Sequence, residues 1–197
     1  VGANHCGYQE ILMNRRYITQ GEWKKLIGSI PDTPEYARDR CLLYMMYMHG
    51  LRVSELLNMT MSSLDLESGE VYIRRLKNGL STTHPIQDEE GKSLAAWLQR
   101  RHEVLNGVSY PWLFISKRKT RLSRQQVYAL VRRYGESANL PIRLHPHVLR
   151  HACGYALADQ GIDTRLIQDY LGHRNIRHTV HYTASNCKRF SRVWKQN

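Results

Sequence analysis

The chain has 197 residues, enough for one or two small domains with a real hydrophobic core. Its 29 Lys and Arg outnumber 17 Asp and Glu, and the net charge of +12 favours a polyanionic partner, nucleic acid before anionic membrane. No apolar run reaches the length of a membrane span, residues 1–8 lack the apolar centre of a signal peptide, and Cys6, Cys41, Cys153 and Cys187 form no CxxC, which fits reduced thiols in the cytoplasm.

In chain order, residues 1–18 read as a loosely structured arm ahead of a single domain, residues 19–197, with a tail after about 186. Thr19 and Glu22 have the spacing of a capping box and predict a helix to about Ile30. Thr33-Pro34 predicts the next helix start, and Ala37, Cys41, Tyr44, Met45 and Met48 follow at helical spacing until Gly50. A short helix is expected over Arg52–Asn58. Val71-Tyr72-Ile73 then reads as a strand, Lys77-Asn78-Gly79 as a tight hairpin turn, and Ser81-Thr82-Thr83 as the returning strand. Asp88 predicts a cap for a helix to about Glu103, and Leu113-Phe114-Ile115 reads as a short buried strand. Ser123 with Gln126 caps a helix to about Ala138; Pro146 opens one that Gly161 ends; Asp163–Leu171 is stopped by Gly172; and 175–183 holds one more. The expected fold is mainly α with a small three-stranded antiparallel sheet (α+β).

The chemistry concentrates late in the chain, in His147-Val148-Leu149-Arg150-His151, Leu171-Gly172-His173 and Tyr182. On a helix, residues three apart share a side. A guanidinium grips phosphate oxygens in two places, an imidazole moves protons near neutral pH, and a tyrosine can be a covalent nucleophile. Together they point to attack on a phosphodiester with no metal and no nucleotide cofactor. Singly, each has a plain reading: Arg52 as a solvated helix start, Lys77 as a solvated turn, His173 as a polar residue past a helix end, and Tyr182 as one of 12 tyrosines in a core. Glu55 reads either as a partner that holds an arginine or as a solvated carboxylate. His147 and His151 at i,i+4 have zinc-helix spacing, but no glutamate stands where HExxH needs one.

The order of these residues resembles the tyrosine recombinase (phage integrase) family. Gly50-Leu51-Arg52-Val53-Ser54-Glu55-Leu56, Lys77, His147-Val148-Leu149-Arg150-His151, Leu171-Gly172-His173 and Tyr182 match its Arg…Lys…His-x-x-Arg…His…Tyr set across about residues 20–186. The chain departs from the common layout in being too short at its N-terminus for a separate core-binding domain. Arg75-Leu76-Lys77-Asn78-Gly79, Arg121–Gln126 and Asp163–Thr179 are similar to the short fimbrial phase-variation invertases.

The resemblance implies a site-specific recombinase that cleaves and rejoins DNA through a 3′-phosphotyrosyl bond to Tyr182. It implies inversion of a promoter-bearing segment between short inverted repeats, on double-stranded DNA. Self-assembly into a synaptic tetramer, DNA-bending accessory proteins and a bacterial nucleoid location go with it. Arg52 and Arg150 would neutralise the non-bridging oxygens, Lys77 would protonate the leaving oxygen, and His173 would donate to the phosphate. His147 would accept the tyrosine proton or orient the phosphate; His151, one turn away, is a second candidate in a supporting role. Arg118, Lys119, Arg121 and Arg124 straddle a loop and a helix start and are candidate DNA-backbone contacts, which Arg132 and Arg133 could continue. Phe190 and Trp194 could dock on a neighbouring subunit or pack on their own domain. The rival readings are a type IB topoisomerase-like relaxing enzyme and a non-catalytic DNA-binding regulator.

Overall fold

The computed structural model describes residues 15–76 and 79–184. Lys77, Asn78 and the aromatic tail fall outside the described residues, as do Cys6 and Cys187.

Helix α1 (Gln20–Gly28) opens at the expected capping box: the Thr19 hydroxyl accepts the Glu22 amide and the Glu22 carboxylate accepts the Thr19 amide. Helix α2 (Ala37–Met48) has buried residues on every side, nine of its twelve, which makes it the central element. It starts after Tyr36 rather than at Pro34, because Thr33–Tyr36 close a separate turn first. Helix α3 (Val53–Leu57) is one short turn after Gly50.

The sheet pairs β1 (Leu64–Asp65), β2 (Glu70–Ile73) and β3 (Thr82–Pro85) in antiparallel order, with Val71 opposite His84 and Ile73 opposite Thr82. The β2–β3 ladder ends at Ile73–Thr82, and the expected turn at Lys77-Asn78-Gly79 includes residues outside those described. One expectation needs correcting. The third strand is Leu64–Asp65, not Leu113–Ile115. Those three side chains are buried as expected, but among the described residues this stretch makes only isolated bridges, Thr60 with the preceding Trp112 and Ile115 itself with Arg121.

Helix α4 (Asp88–Leu105) is capped by Gln87 rather than Asp88 and lies along α2. Its buried stripe of Leu94, Trp97, Arg101 and Leu105 begins with a carboxylate, Glu90. Helix α5 (Arg124–Ser137) opens at the Ser123–Gln126 box. Helix α6 (Pro146–Asp159) packs on α2, and α7 (Thr164–Leu171) and α8 (Arg177–Ala184) pack on α6 and on each other. The Asp163 carboxylate caps α7 and left-handed Gly172 ends it. The main core joins α1–α6; a smaller cluster of Cys153, Ala158, Ile167, Leu171 and Tyr182 fills the space between α6, α7 and α8. Ile18 enters the main core, so residues 15–18 are anchored rather than loose.

Candidate active site

Glu55 is the centre of the site. It sits at the third position of α3, the place from which a glutamate reaches back to the cap. One oxygen accepts the Arg52 amide at 2.9 Å and the other lies 2.6 Å from the Arg52 guanidinium. Arg75, leaving β2, donates to the same carboxylate at 3.0 Å, and Arg150 on α6 stands 3.8 Å away. Burial alone would raise the Glu55 pKa; Arg75, the Arg52 amide, Arg150 and the Arg52 charge outweigh it and hold it low. The carboxylate is therefore ionised and buried, not the solvated surface group that composition favours.

Arg150 donates to the carbonyls of Gly50 and, at 2.7 Å, of Leu171. These two bonds fix its fork between the end of α2 and the end of α7. Gly50 has φ +55°, and a Cβ there would run into Leu171 and Cys153, so only glycine brings the carbonyl to the arginine. Burial, Arg52 and Arg75 lower Arg150 to about 9, and it remains charged at neutral pH. Arg52 is the most open of the three, its side chain 26% exposed against 7% for Arg150 and none for Arg75.

A second buried polar chain runs behind Arg75. Its guanidinium also donates to the His49 and Tyr170 carbonyls. The His49 ring meets His84 on β3, Nδ1 to Nδ1 at 3.1 Å, and His84 Nε2 meets the Thr82 hydroxyl at 2.7 Å. On its other side His49 Nε2 lies 2.8 Å from Glu90, at hydrogen-bond distance though off the hydrogen-bond axis. Burial, His49 and Arg75 push His84 down to about 3, so that ring is neutral, and it stacks on Tyr170.

Tyr182 occupies the opposite wall and is 1% exposed. Its ring lies flat against α6 at Gly154, where a Cβ would come within 2.7 Å of it. Tyr155 meets it edge-on at 5.0 Å, and Tyr17 stacks on Tyr155 at 3.7 Å. Its hydroxyl is 2.9 Å from His151 Nδ1. Burial raises the phenol pKa while Arg150 and Arg52 pull it back. His173 follows the Gly172 cap, bonds the Thr179 hydroxyl through Nδ1 at 2.8 Å, and is brought to about 3 by burial, Arg150 and Arg52. If Nδ1 accepts from the Thr179 hydroxyl, one of the two tautomers this contact allows, the neutral ring carries its hydrogen on Nε2.

The structure thus brings Arg52, Arg150, His173 and Tyr182 to one place. His147 is solvent-exposed on α6, and it is His151 that meets the tyrosine. Lys77 lies outside the described residues. Among the candidate DNA contacts, Arg118, Lys119 and Arg124 are exposed. Arg121 is also exposed but ties its guanidinium to the Leu57 carbonyl and Asn58 and lies over the Trp112 ring. Arg132 pairs with Glu136, and Arg133 with Asp39. Among the described residues no group of three or more His, Cys, Asp or Glu is placed to hold a metal, and no helix is long and apolar enough to cross a membrane.

Comparison with known proteins decides what this arrangement belongs to. The model of the phage integrase family matches residues 16–189. The chain belongs to the phage integrase family. It is 49% identical over 186 residues to the type 1 fimbriae regulatory protein FimE of Escherichia coli K12, covering 94% of each chain. It is 47% identical to FimB of the same strain over 185 residues, covering 91% of this chain and 90% of that one. Among solved structures, the XerA recombinase superposes with a TM-score of 0.79 at 26% identity, over 94% of this chain and 67% of that one. The recombinase fold and enzyme class follow, and the topoisomerase and regulator readings are not favoured.

Sequence reasoning gave no role to Arg75, His49, His84 or Glu90. Arg75 carried a signal: it belongs to the Arg75–Gly79 segment. The histidine pair carried none, because its members are 35 residues apart.

Proposed function

We propose that this recombinase inverts a DNA segment lying between short inverted repeats, and does so through a 3′-phosphotyrosyl intermediate on Tyr182. The observation that carries the chemistry is the convergence of Arg52, Arg150, His173 and Tyr182 around the Glu55 knot. The likeness to FimE and FimB carries the biological outcome, switching of fimbrial expression.

In this reading the phosphate binds beside Arg52 and Arg150. Their charges stabilise the two non-bridging oxygens as the phosphorane forms, and the His173 Nε2–H donates a further hydrogen bond. The Tyr182 oxygen attacks phosphorus, the bond to the 5′ oxygen breaks, and the leaving oxygen takes a proton from Lys77. The phosphodiester energy stays in the phosphotyrosine, so a 5′-hydroxyl from the partner strand reverses the step without ATP. Because Tyr182 is covered in the free protein, DNA binding has to uncover it. Arg118, Lys119 and Arg124 supply backbone contacts near the start of α5. Several protomers assemble on the two sites as a synaptic tetramer, with DNA-bending proteins assisting, in the bacterial cytoplasm.

The test is a nicked duplex carrying one inverted repeat, built so that cleavage loses a short fragment and cannot reverse. A covalent protein–DNA band on a denaturing gel with the wild type, absent with Tyr182→Phe, is the expected result. A plasmid with two inverted repeats then reports inversion directly. No band, despite a mobility shift on the same DNA, would overturn the catalytic reading.

A further inference from the structure

We infer that Thr179 is a positioning residue for cleavage: its hydroxyl donates to His173 Nδ1 and so keeps the ring hydrogen on Nε2, where the phosphate needs it. The inference rests on the phosphotyrosyl reading and adds to it the group that prepares His173.

The bond is 2.8 Å long, and its direction is the question, since a ring nitrogen can donate or accept. Burial decides it. Thr179 lies on α8, three residues before Tyr182, and has no exposed surface. Among the described residues its hydroxyl meets no hydrogen-bond partner other than His173 Nδ1. If Nδ1 donated, the hydroxyl hydrogen would be left in the interior without an acceptor, at a cost of about 1–3 kcal/mol. If the hydroxyl donates, that hydrogen is paired. Thr183 shows the other route open to a helical threonine, a bond at 3.3 Å to the Val180 carbonyl of its own helix. Burial, Arg150 and Arg52 bring His173 to about 3, so at neutral pH its ring carries one hydrogen, on Nδ1 or on Nε2. With Nδ1 accepting, that hydrogen is on Nε2. The reverse tautomer would turn a lone pair, not a donor, toward an anionic oxygen.

The contact is separate from the cover over Tyr182. That cover is made by α6, through His151, Gly154 and Tyr155. His173 and Thr179 are six residues apart in the link from α7 to α8. The Gln168 amide donates to the His173 and Arg174 carbonyls at 2.9 and 3.4 Å, and the Thr179 amide closes on the Ile176 carbonyl at 2.8 Å. Release of the tyrosine ring from α6 breaks none of these bonds, so the tautomer is held before and after the nucleophile is uncovered.

The experiment pairs two measurements on the full chain. Two-bond proton–nitrogen correlation spectra at neutral pH show which ring nitrogen carries the hydrogen, with the His173 signals identified by their loss in His173→Gln. Single-turnover cleavage of the nicked duplex is then followed in Thr179→Ser, Thr179→Val, His173→Gln and the Thr179→Val/His173→Gln double variant. The wild type and Thr179→Ser should show the hydrogen on Nε2 and cleave at similar rates. Thr179→Val keeps the shape without the hydroxyl; it should show a mixture of tautomers and cleave about tenfold to a hundredfold more slowly, approaching the loss of one oxyanion donor. On the His173→Gln background, whose amide donor has no tautomer to lose, Thr179→Val should cost nothing further.

A hydrogen on Nδ1 in the wild type would overturn the inference, and that reading needs no variant to fold. Wild-type cleavage by Thr179→Val would overturn it too. So would an equal loss from Thr179→Val with and without His173, the mark of a structural part alone. If the wild type forms no covalent complex, the phosphotyrosyl reading fails and the role of Thr179 with it, even where the spectra place the hydrogen on Nε2.

Discussion

The arginine wall and the tyrosine wall of the candidate site are built in opposite ways. On the first, one buried carboxylate joins three guanidiniums, and Arg75 and Arg150 are further tied to the carbonyls of His49, Gly50, Tyr170 and Leu171. Arg75 and Arg150 have their positions set in the free protein, and preorganisation of that kind is what electrostatic stabilisation of a developing charge requires. On the second, Tyr182 is held by one hydrogen bond, a glycine seat and an aromatic edge. Contacts of that kind are individually small and can be exchanged. Under the proposed function, the contrast makes the phosphate side preorganised and the nucleophile side releasable.

The largest expected effect sharpens the contrast at its chemical end. Tyr182→Phe should abolish the covalent band while leaving duplex affinity, read by mobility shift, within a few-fold of wild type. Arg150→Ala comes next. It removes a charge aimed at the phosphate and should slow single-turnover cleavage by about 10²–10³-fold. Equal cleavage by Arg150→Ala would break the idea of a preorganised wall.

Glu55→Gln keeps the shape of the knot and deletes its charge. Breaking one partner of a buried ion pair costs about 3–5 kcal/mol, because the arginines lose their counter-ion, and urea denaturation should show a loss on that order. Gly154→Ala probes the other wall. Alanine raises helix propensity by about 1 kcal/mol, yet the ring sits where its methyl would go, and overpacking costs about 1–3 kcal/mol. We expect a small net change in the urea midpoint with a several-fold drop in cleavage. A more stable variant with unchanged cleavage would mean the seat plays no part.

A separate effect is expected in acid. Folded His84, His151 and His173 protonate only near 3, 4 and 3, whereas unfolded histidine does so near 6.5. Between those values the unfolded chain binds more protons, so stability is full above about pH 6.5 and declines as pH falls toward 4. Glu55 adds a loss at lower pH: its folded value lies below 4.5, so its contribution is present above that value and fades as pH drops through the folded one. Urea midpoints at pH 7, 5.5 and 4.5 should fall in order. A flat profile would show that the histidines stay open to protonation in the folded protein.

Much of the fold was legible because its signals are local. The Thr19–Glu22 and Ser123–Gln126 boxes, Pro146 at a helix start and Gly172 at a helix end act within one turn, and each lies where the pattern put it. Leu113–Ile115 has the composition of a buried strand, but strand pairing is a tertiary matter and Leu64–Asp65 took the place beside β2. Glu55 could be read two ways until three arginines from separate elements met it.

By itself, the sequence determined most of the helices and the family pattern, and it singled out Arg52, Arg150, His173 and Tyr182 as candidates, since residue type and spacing encode local backbone preference and chemical competence. Only the tertiary structure decided that His151 faces the tyrosine while His147 faces solvent, and that Arg75, His49, His84 and Glu90 back the site. Those facts depend on side-chain direction and on contacts between residues far apart in the chain, which become fixed when α2, α4, α6 and the sheet pack together.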